Sequence, residues 1–161
     1  MSIHLHTHSR LHHSLHLADG STWQLRYLQH WRQALIHGAI AAELRPVPAG
    51  WYLQPAGARQ QVWGLVMPQH RCSFFIALHA PRLHFTLQRQ PGCSSRFVLT
   101  DSRQEEFLSI QATLHWQHQA FHFQLHTTHQ NMLQQQPLLA LLAVHCANAG
   151  MNLLNGLDAS T

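Results

Sequence analysis

The chain has 161 residues, of which ten are basic, six are acidic and seventeen are histidine. Charged residues make up only 10% of the sequence, against ~25% in typical soluble domains. Every basic residue is an arginine, and the ten arginines are spread singly from Arg10 to Arg103. Because they form no basic run, the formal charge of +4 does not lead us to expect specific nucleic-acid binding.

The length predicts one domain, spanning residues 1–157, with a short tail at 158–161. Cys72, Cys93 and Cys146 have no CxxC spacing and are odd in number, which predicts free thiols in a reducing compartment. Histidines occupy the N-terminus, where a secretory signal has a basic patch and an apolar run. We therefore expect a cytoplasmic protein, with peripheral attachment to a membrane as an open alternative.

The N-terminal region combines a strand pattern with an ambiguous segment. Apolar residues and histidines alternate between residues 3 and 8 and, less strictly, between 11 and 17, which predicts strands. After this, residues 22–37 contain large apolar residues at helical spacing, so an extra helix is predicted there. Trp23, Leu25 and Tyr27 also alternate as they would in a strand, and that alternative stays open.

From residue 39 onward, short apolar runs are separated by turn residues about ten positions apart, which is typical of an antiparallel meander. In 83–87 and 121–126 the apolar side chains share one face, which we expect to point inward. The strands predicted in this region, enough to close a barrel, are 39–44, 51–54, 61–67, 73–79, 83–89, 96–100, 107–113 and 121–127.

Residues 137–154 are apolar nearly all round, so a helix here has to be surrounded by protein or lipid. Burial inside a globular fold is favoured over a membrane span because the second half carries His145, Asn148 and Asn152. His145 is expected to be a buried, neutral core residue with a hydrogen-bond partner. The predicted fold class is therefore mainly β, within α+β, with a barrel around a buried C-terminal helix.

This order of elements resembles the tubby C-terminal-like fold, which is shared with LURP-one-related and phospholipid-scramblase proteins. The likeness is carried by residues 96–101, 107–110, 121–123 and 138–144. It implies a closed barrel around a hydrophobic C-terminal helix. If a helix exists at 22–37, the alternative is a helix-grip fold, in which the sheet wraps a long helix and leaves space for a ligand.

Two histidine clusters are candidate metal sites. Alternate histidines on one strand lie about 6 to 7 Å apart on the same face. A hairpin turn at 116–120 would bring histidines on its two strands together. Imidazole nitrogen binds zinc, nickel and copper, although histidine can also simply occupy solvent-facing positions. The candidate ligands are His4, His6 and His8 in the first cluster and His115, His122 and His126 in the second.

A catalytic site has weaker support in the sequence. The tripeptides that begin at His84 and His126 fit the His-x-Thr pattern that recurs in two-histidine phosphoesterases, where paired imidazoles act as acid and base. The interval between them is shorter than that resemblance requires. Asp101, Glu105 and Glu106 are interpreted as an exposed turn, and we assign no catalytic residue.

The leading functional hypothesis is a non-enzymatic binding module for membrane lipid, an apolar ligand or a protein partner, with self-association also open. Trp51 and Tyr52 are the first candidates for an exposed binding face. The alternatives are a histidine-rich transition-metal protein and, with less support, a two-histidine phosphoesterase. If all seventeen histidines took a proton the formal charge would rise from +4 to +21, so surface charge should depend steeply on mild acid.

Overall fold

A computed structural model describes residues 3–28, 32–58, 60–70, 72–92, 95–117 and 119–154. These residues form twelve strands followed by two helices, α1 and α2. The strands are β1 His4–Ser9, β2 His12–His16, β3 Thr22–Tyr27, β4 Ala34–His37, β5 Ala41–Val47, β6 Gly50–Pro55, β7 Gly64–His70, β8 Ser73–His79, β9 Arg82–Arg89, β10 Arg96–Asp101, β11 Glu106–His115 and β12 Ala120–His126. The helices are α1 Gln130–Gln135 and α2 Pro137–Leu154.

Each strand pairs antiparallel with the next one along the chain, so the sheet is one continuous meander. The sheet curls until β1 lies beside β12, which makes a nearly closed barrel. Within the described strands, hydrogen-bonded ladders join β1 to β2 and β12 to β11, and none joins β1 to β12. We call the junction between β1 and β12 the seam.

Because strand direction alternates around the barrel, the turns fall alternately at its two ends. One end, here called the upper rim, carries the β1–β2 and β11–β12 turns and the residues that follow β3. The lower rim carries the β2–β3 and β4–β5 turns and the connection from β12 to α1. The seam therefore has the β1–β2 and β11–β12 turns on either side of it at the upper rim.

Helix α2 fills the barrel, and residues 139–144 on it have no solvent exposure. The predicted barrel around a buried C-terminal helix is thus confirmed. The inner faces of the strands supply large side chains such as Phe74, Phe97 and Ile110, as the period-two pattern predicts. The space that a helix-grip fold would leave for a ligand is occupied by the helix. Within the described residues, no helix has the length and apolarity needed to cross a bilayer.

The predicted helix at 22–37 is wrong, because the chain forms β3 and β4 there. Trp23, Leu25 and Tyr27 alternate on the inner face and are all buried. Leu25 is the cross-strand partner of Ile36, so both strands turn their apolar sides to the core. Trp23 and Tyr27 face inward from β3, whereas Leu28, which shares their helical spacing, is exposed just after the strand, and residues 29–31 lie outside the described part.

The meander predicted from residue 39 onward is confirmed, with strand bounds that shift by up to three residues. Of the three predicted free thiols, Cys146 is free and buried, Cys72 is buried with its Sγ 3.8 Å from the Gly150 carbonyl oxygen, and Cys93 lies outside the described residues. Burial raises the pKa of the Cys146 thiol well above its ordinary value. Both described thiols therefore belong to the apolar core.

Candidate functional site

Histidines cover the outer face of the barrel around the seam. On β1 the inward positions are Leu5 and Thr7, so the histidines between them point to solvent. The same alternation on β2, β11 and β12 turns further histidines outward. We call this set the imidazole band; its members are His4, His6, His8, His12, His16, His115, His122 and His126.

His8 lies at the centre of the β1–β2 part of the band. The register between these strands shifts at this position, which is a β-bulge. The His8 ring meets His6 edge-on with centroids 4.4 Å apart, and it stacks on His12 at 4.4 Å. Its Nε2 is 2.8 Å from the Ser14 hydroxyl oxygen. Three imidazoles are thus in contact along one strip of surface.

The second histidine cluster lies on β11 and β12, across the seam from the first. His115 and His122 stack with ring centroids 3.9 Å apart, as the hairpin turn predicts. The buried ring of His13 on β2 lies 5.7 Å from the ring of Phe123 on β12. Burial, together with smaller contributions from positive charge on His12, His122 and His8, lowers the pKa of His13 to about 3. Histidines from opposite ends of the sequence therefore share one region of the barrel.

The ring orientations in the band do not match those of a metal centre. The His115 and His122 planes are inclined by 20°, and those of His8 and His12 by 23°. Because imidazole lone pairs lie in the ring plane, nearly parallel stacked rings do not converge on one ion. Among the described residues, no group of three or more histidine, cysteine or acidic side chains is placed to hold a metal. The predicted ligand His126 lies at the lower-rim end of β12, whereas His122 lies near its upper-rim end.

Acidic side chains are sparse around the band. Glu106 begins β11 and pairs with Arg96 at 3.5 Å, and Asp19 in the β2–β3 turn accepts a hydrogen bond from the Ser21 hydroxyl. The nearest cation on β3 is Arg26, whose charge adds to burial in lowering the pKa of His12. Burial and the neighbours His12, His6 and His16 likewise lower the pKa of His8. A proton on one imidazole therefore disfavours a proton on the next.

The upper rim exposes apolar side chains next to the band. Trp116, in the turn after β11, is 82% exposed. Leu11 is 37% exposed and Leu28 is 38% exposed, and these two residues are neighbours because the Tyr27 amide donates to the Leu11 carbonyl. The other large apolar residues of high exposure in the described chain are Ile40 at the lower rim and Tyr52 on the outer wall.

The sequence indicated the wrong tryptophan as the exposed one. Trp51 is buried, with its ring edge-on to His145 at 4.6 Å, and only its neighbour Tyr52 is exposed. Trp116, in the predicted hairpin turn at 116–120, is exposed. The signal that could have found it is a large aromatic residue among the polar residues of a turn, where no core can cover it.

A buried polar pair joins the helix to the wall. The Tyr27 hydroxyl lies 2.8 Å from Nδ1 of His145, and it also interacts with the Asn148 side chain one turn along α2. Burial lowers the pKa of His145 to about 3, so the ring is neutral as predicted. On β2, the strand next to β3, the buried His13 has its Nδ1 3.0 Å from Oγ1 of Thr7 on β1. These groups are enclosed, so they serve the core and not a ligand outside it.

A cleft of about 470 Å³ opens near the lower rim. His126 lines it together with Thr128 and the pair formed by Arg96 and Glu106. Arg96 also donates to Gln90 at 2.7 Å, so its guanidinium already has two protein partners. The cleft is therefore a weaker candidate for a binding site than the seam and its rim.

The structure separates the two histidines of the phosphoesterase pattern. His84 is exposed on β9, and His126 on β12 is in register with Gln88 of β9 across two intervening strands. Three strand spacings and four residues along the strand place His84 and His126 roughly 19 Å apart in a flat sheet. In this arrangement the two imidazoles cannot act as acid and base on one phosphodiester.

The local group of carboxylates forms the turn that the sequence predicts. Asp101 Oδ1 accepts hydrogen bonds from the amides of Arg103 and Glu105 at 2.8 and 2.9 Å. Glu105 reaches His129 at 3.3 Å, and both Glu105 and Glu106 are exposed. These contacts hold the β10–β11 turn and bring no pair of carboxylates together for catalysis.

Comparisons of the chain with protein-family models, with curated proteins and with solved structures find no match. Of the predicted likeness to tubby-like proteins, the structure establishes only the nearly closed antiparallel barrel.

Proposed function

We propose that this chain is a non-enzymatic binding module that docks on a membrane surface through its upper rim. The observation that supports this most is Trp116, 82% exposed at the tip of a hairpin. A tryptophan ring is mostly apolar but carries one N–H donor, so it is favoured at the boundary between lipid tails and headgroups. Leu11 and Leu28 extend the apolar surface at the same rim.

The packing of the barrel favours an external ligand over an internal one. Leu139, Leu141 and Leu142 have no exposure, so α2 takes up the room in which an apolar ligand would lie. An apolar ligand therefore has to bind on the outside of the barrel, where the upper rim exposes apolar side chains. Membership of the tubby-like and scramblase-like group is part of the proposal, supported by the order of a meander followed by a buried helix.

Replacing Trp116 with serine should reduce binding to lipid vesicles roughly tenfold or more, since full burial of a large apolar side chain contributes about 1.5–3 kcal/mol. The measurement is flotation of purified protein with vesicles of phosphatidylcholine and phosphatidylserine at neutral pH. The free energy of unfolding should stay nearly unchanged, because the side chain contacts little protein.

The matched control for Trp116→Ser is Ile40→Ser at the lower rim, where Ile40 is 40% exposed. This variant should bind vesicles as the wild type does, because the lower rim faces away from the membrane. An equal loss of vesicle binding in both variants would mean that any exposed apolar residue promotes binding, whichever rim it occupies. No vesicle binding by the wild type, either at neutral pH or in mild acid, would end the proposal.

A second candidate function is transition-metal binding by the band, favoured by the contact between His115 and His122. One ring would have to rotate before both lone pairs met one ion. If a site forms, untagged protein purified without nickel resin should retain about one equivalent of zinc, nickel or copper after dialysis, and His115→Gln/His122→Gln should lose it. Elemental analysis measures this directly, and retention well below one equivalent counts against the metal function.

A further inference from the structure

The imidazole band has the chemistry of an anion site that is switched on by protons. Its eight histidines lie on four neighbouring strands, of which β11 also carries Glu106 and the others carry no acid. The charged groups that face it are Arg26 on β3 and Arg10 in the β1–β2 turn, both exposed. When the rings take protons, the region therefore becomes a dense cluster of positive charge with few carboxylates beside it: Glu106 already pairs with Arg96, and Asp19 lies in the β2–β3 turn.

The contacts inside the band show that its protonated form needs an external partner. His8 touches both His6 and His12, so the first proton in this strip opposes the second. Each of these rings offers N–H donors once it is charged, and charge-assisted bonds to phosphate oxygens are about twice as strong as neutral ones. A bound anion would relieve the repulsion, and its binding would therefore be linked to proton uptake.

We infer that the imidazole band is the part of the docking surface that binds anionic phospholipid headgroups, and that it does so only in mild acid. This inference rests on the proposed function and adds to it the charge of the lipid and the condition for binding. A lipid surface is favoured over a soluble polyanion because the same end of the seam carries exposed Trp116 and Leu11. The apolar tips would enter the interface while His8 and His115, both exposed near that end of their strands, meet phosphates.

The size of the acid-dependent rise in vesicle binding follows from the number of histidines that gain a proton. Each cation held against an anionic leaflet strengthens binding by roughly fivefold, and the contribution is screened by salt. An imidazole in water titrates near pH ~6.5, and the band members that are shifted titrate lower. Binding to anionic vesicles should thus rise at least about tenfold between pH ~7.5 and pH ~5.5. Vesicles of phosphatidylcholine alone should show no such rise.

The test is flotation with vesicles that contain about 30 mol% phosphatidylserine, at two pH values and constant ionic strength. The variant His6→Gln/His8→Gln/His16→Gln removes three exposed members of the band. It should lose a large part of the rise in acid, measured as the ratio of vesicle binding at the two pH values. Near-UV circular dichroism at the lower pH checks that each protein is still folded, because an unfolded chain would adhere to vesicles through its core residues.

The matched control is His37→Gln/His79→Gln/His84→Gln, which removes three exposed histidines from β4, β8 and β9. It loses the same number of titrating groups, so it should keep the full acid-dependent rise if position on the band matters. A rise that both triple variants lose equally would overturn the inference, since net charge alone would then explain it. Equal enhancement on phosphatidylcholine vesicles, or persistence of the rise in about 0.5 M salt, would overturn it as well.

The outcome also separates this inference from the proposed function. If Trp116→Ser lowers vesicle binding at both pH values while the band variant changes nothing, rim docking stands and the inference is wrong. If the wild type binds no vesicles at either pH, rim docking is wrong and the inference falls with it. Tighter binding of a soluble oligonucleotide than of anionic vesicles in acid would replace the lipid by a different polyanion.

Discussion

Acidification should unfold this protein steeply, with the free energy of unfolding falling by roughly 2.7 kcal/mol per pH unit below about pH 6. The cause is the neutral burial of His13 and His145, which have no solvent exposure and a pKa of about 3 each. Both pKa values are depressed from 6.5, so the unfolded chain binds these two protons more readily. Their contribution is complete above pH ~6.5 and is lost as the pH falls towards 3.

The measurement is urea unfolding followed by circular dichroism between pH 7.5 and pH 4, and the informative variant is His145→Gln. It should remove about half of the pH slope, since one of the two buried imidazoles is gone, while glutamine keeps a polar partner for Tyr27. His84→Gln, on the outer wall, should leave the slope as it is. A stability that stays level from pH 6.5 to pH 5 would contradict the neutral burial of both rings.

Replacing Leu142 by alanine should lower the free energy of unfolding by about 2–5 kcal/mol, because it leaves a cavity where the helix meets the wall. Leu142 has no solvent exposure. The loss is a large part of the roughly 5–15 kcal/mol that holds a domain of this size together. Denaturant unfolding at neutral pH measures it, and the amide protons of α2 should be among the slowest to exchange in the native protein.

The control for Leu142→Ala is Leu138→Ala in the first turn of the same helix, where the side chain is only partly buried. Both changes remove the same atoms and raise helix propensity equally, so the difference between them isolates burial. Leu138→Ala should lower the free energy of unfolding clearly less than Leu142→Ala does. Equal small losses, or rapid deuterium uptake along α2, would mean that the helix does not lie inside a packed barrel.

The barrel and its helix could be predicted because two simple periodicities specify them. Residues 137–154 have no polar stripe, so they had to be enclosed, and the alternation in β9 and β12 identified the inner wall. The segment at 22–37 was ambiguous because Trp23 and Tyr27 fit both periods. Pairing with β4, a partner that the local sequence does not specify, decided the outcome.

The binding surface could be predicted only in pieces. The sequence identified both histidine clusters, but their meeting depends on closure of the barrel between β1 and β12, more than a hundred residues apart. The alternation at residues 11–17 places His13 on the face opposite to His12, but its enclosure depends on contacts with distant residues such as Phe123. The contact between Tyr27 and His145 joins residues 118 positions apart and could not be seen in any local window.

The position of α2 at the end of the chain has a consequence for how the molecule assembles. All twelve described strands precede it, so as the polypeptide is synthesised, the residues of the sheet leave the ribosome before the helix that fills the barrel. Until then, Phe74 and Phe97 have no helix to cover them, and an open meander of this kind is prone to pair with a neighbouring chain. Contacts between distant parts of a chain also form slowly. Protection of the nascent strands by a chaperone would matter most in that interval.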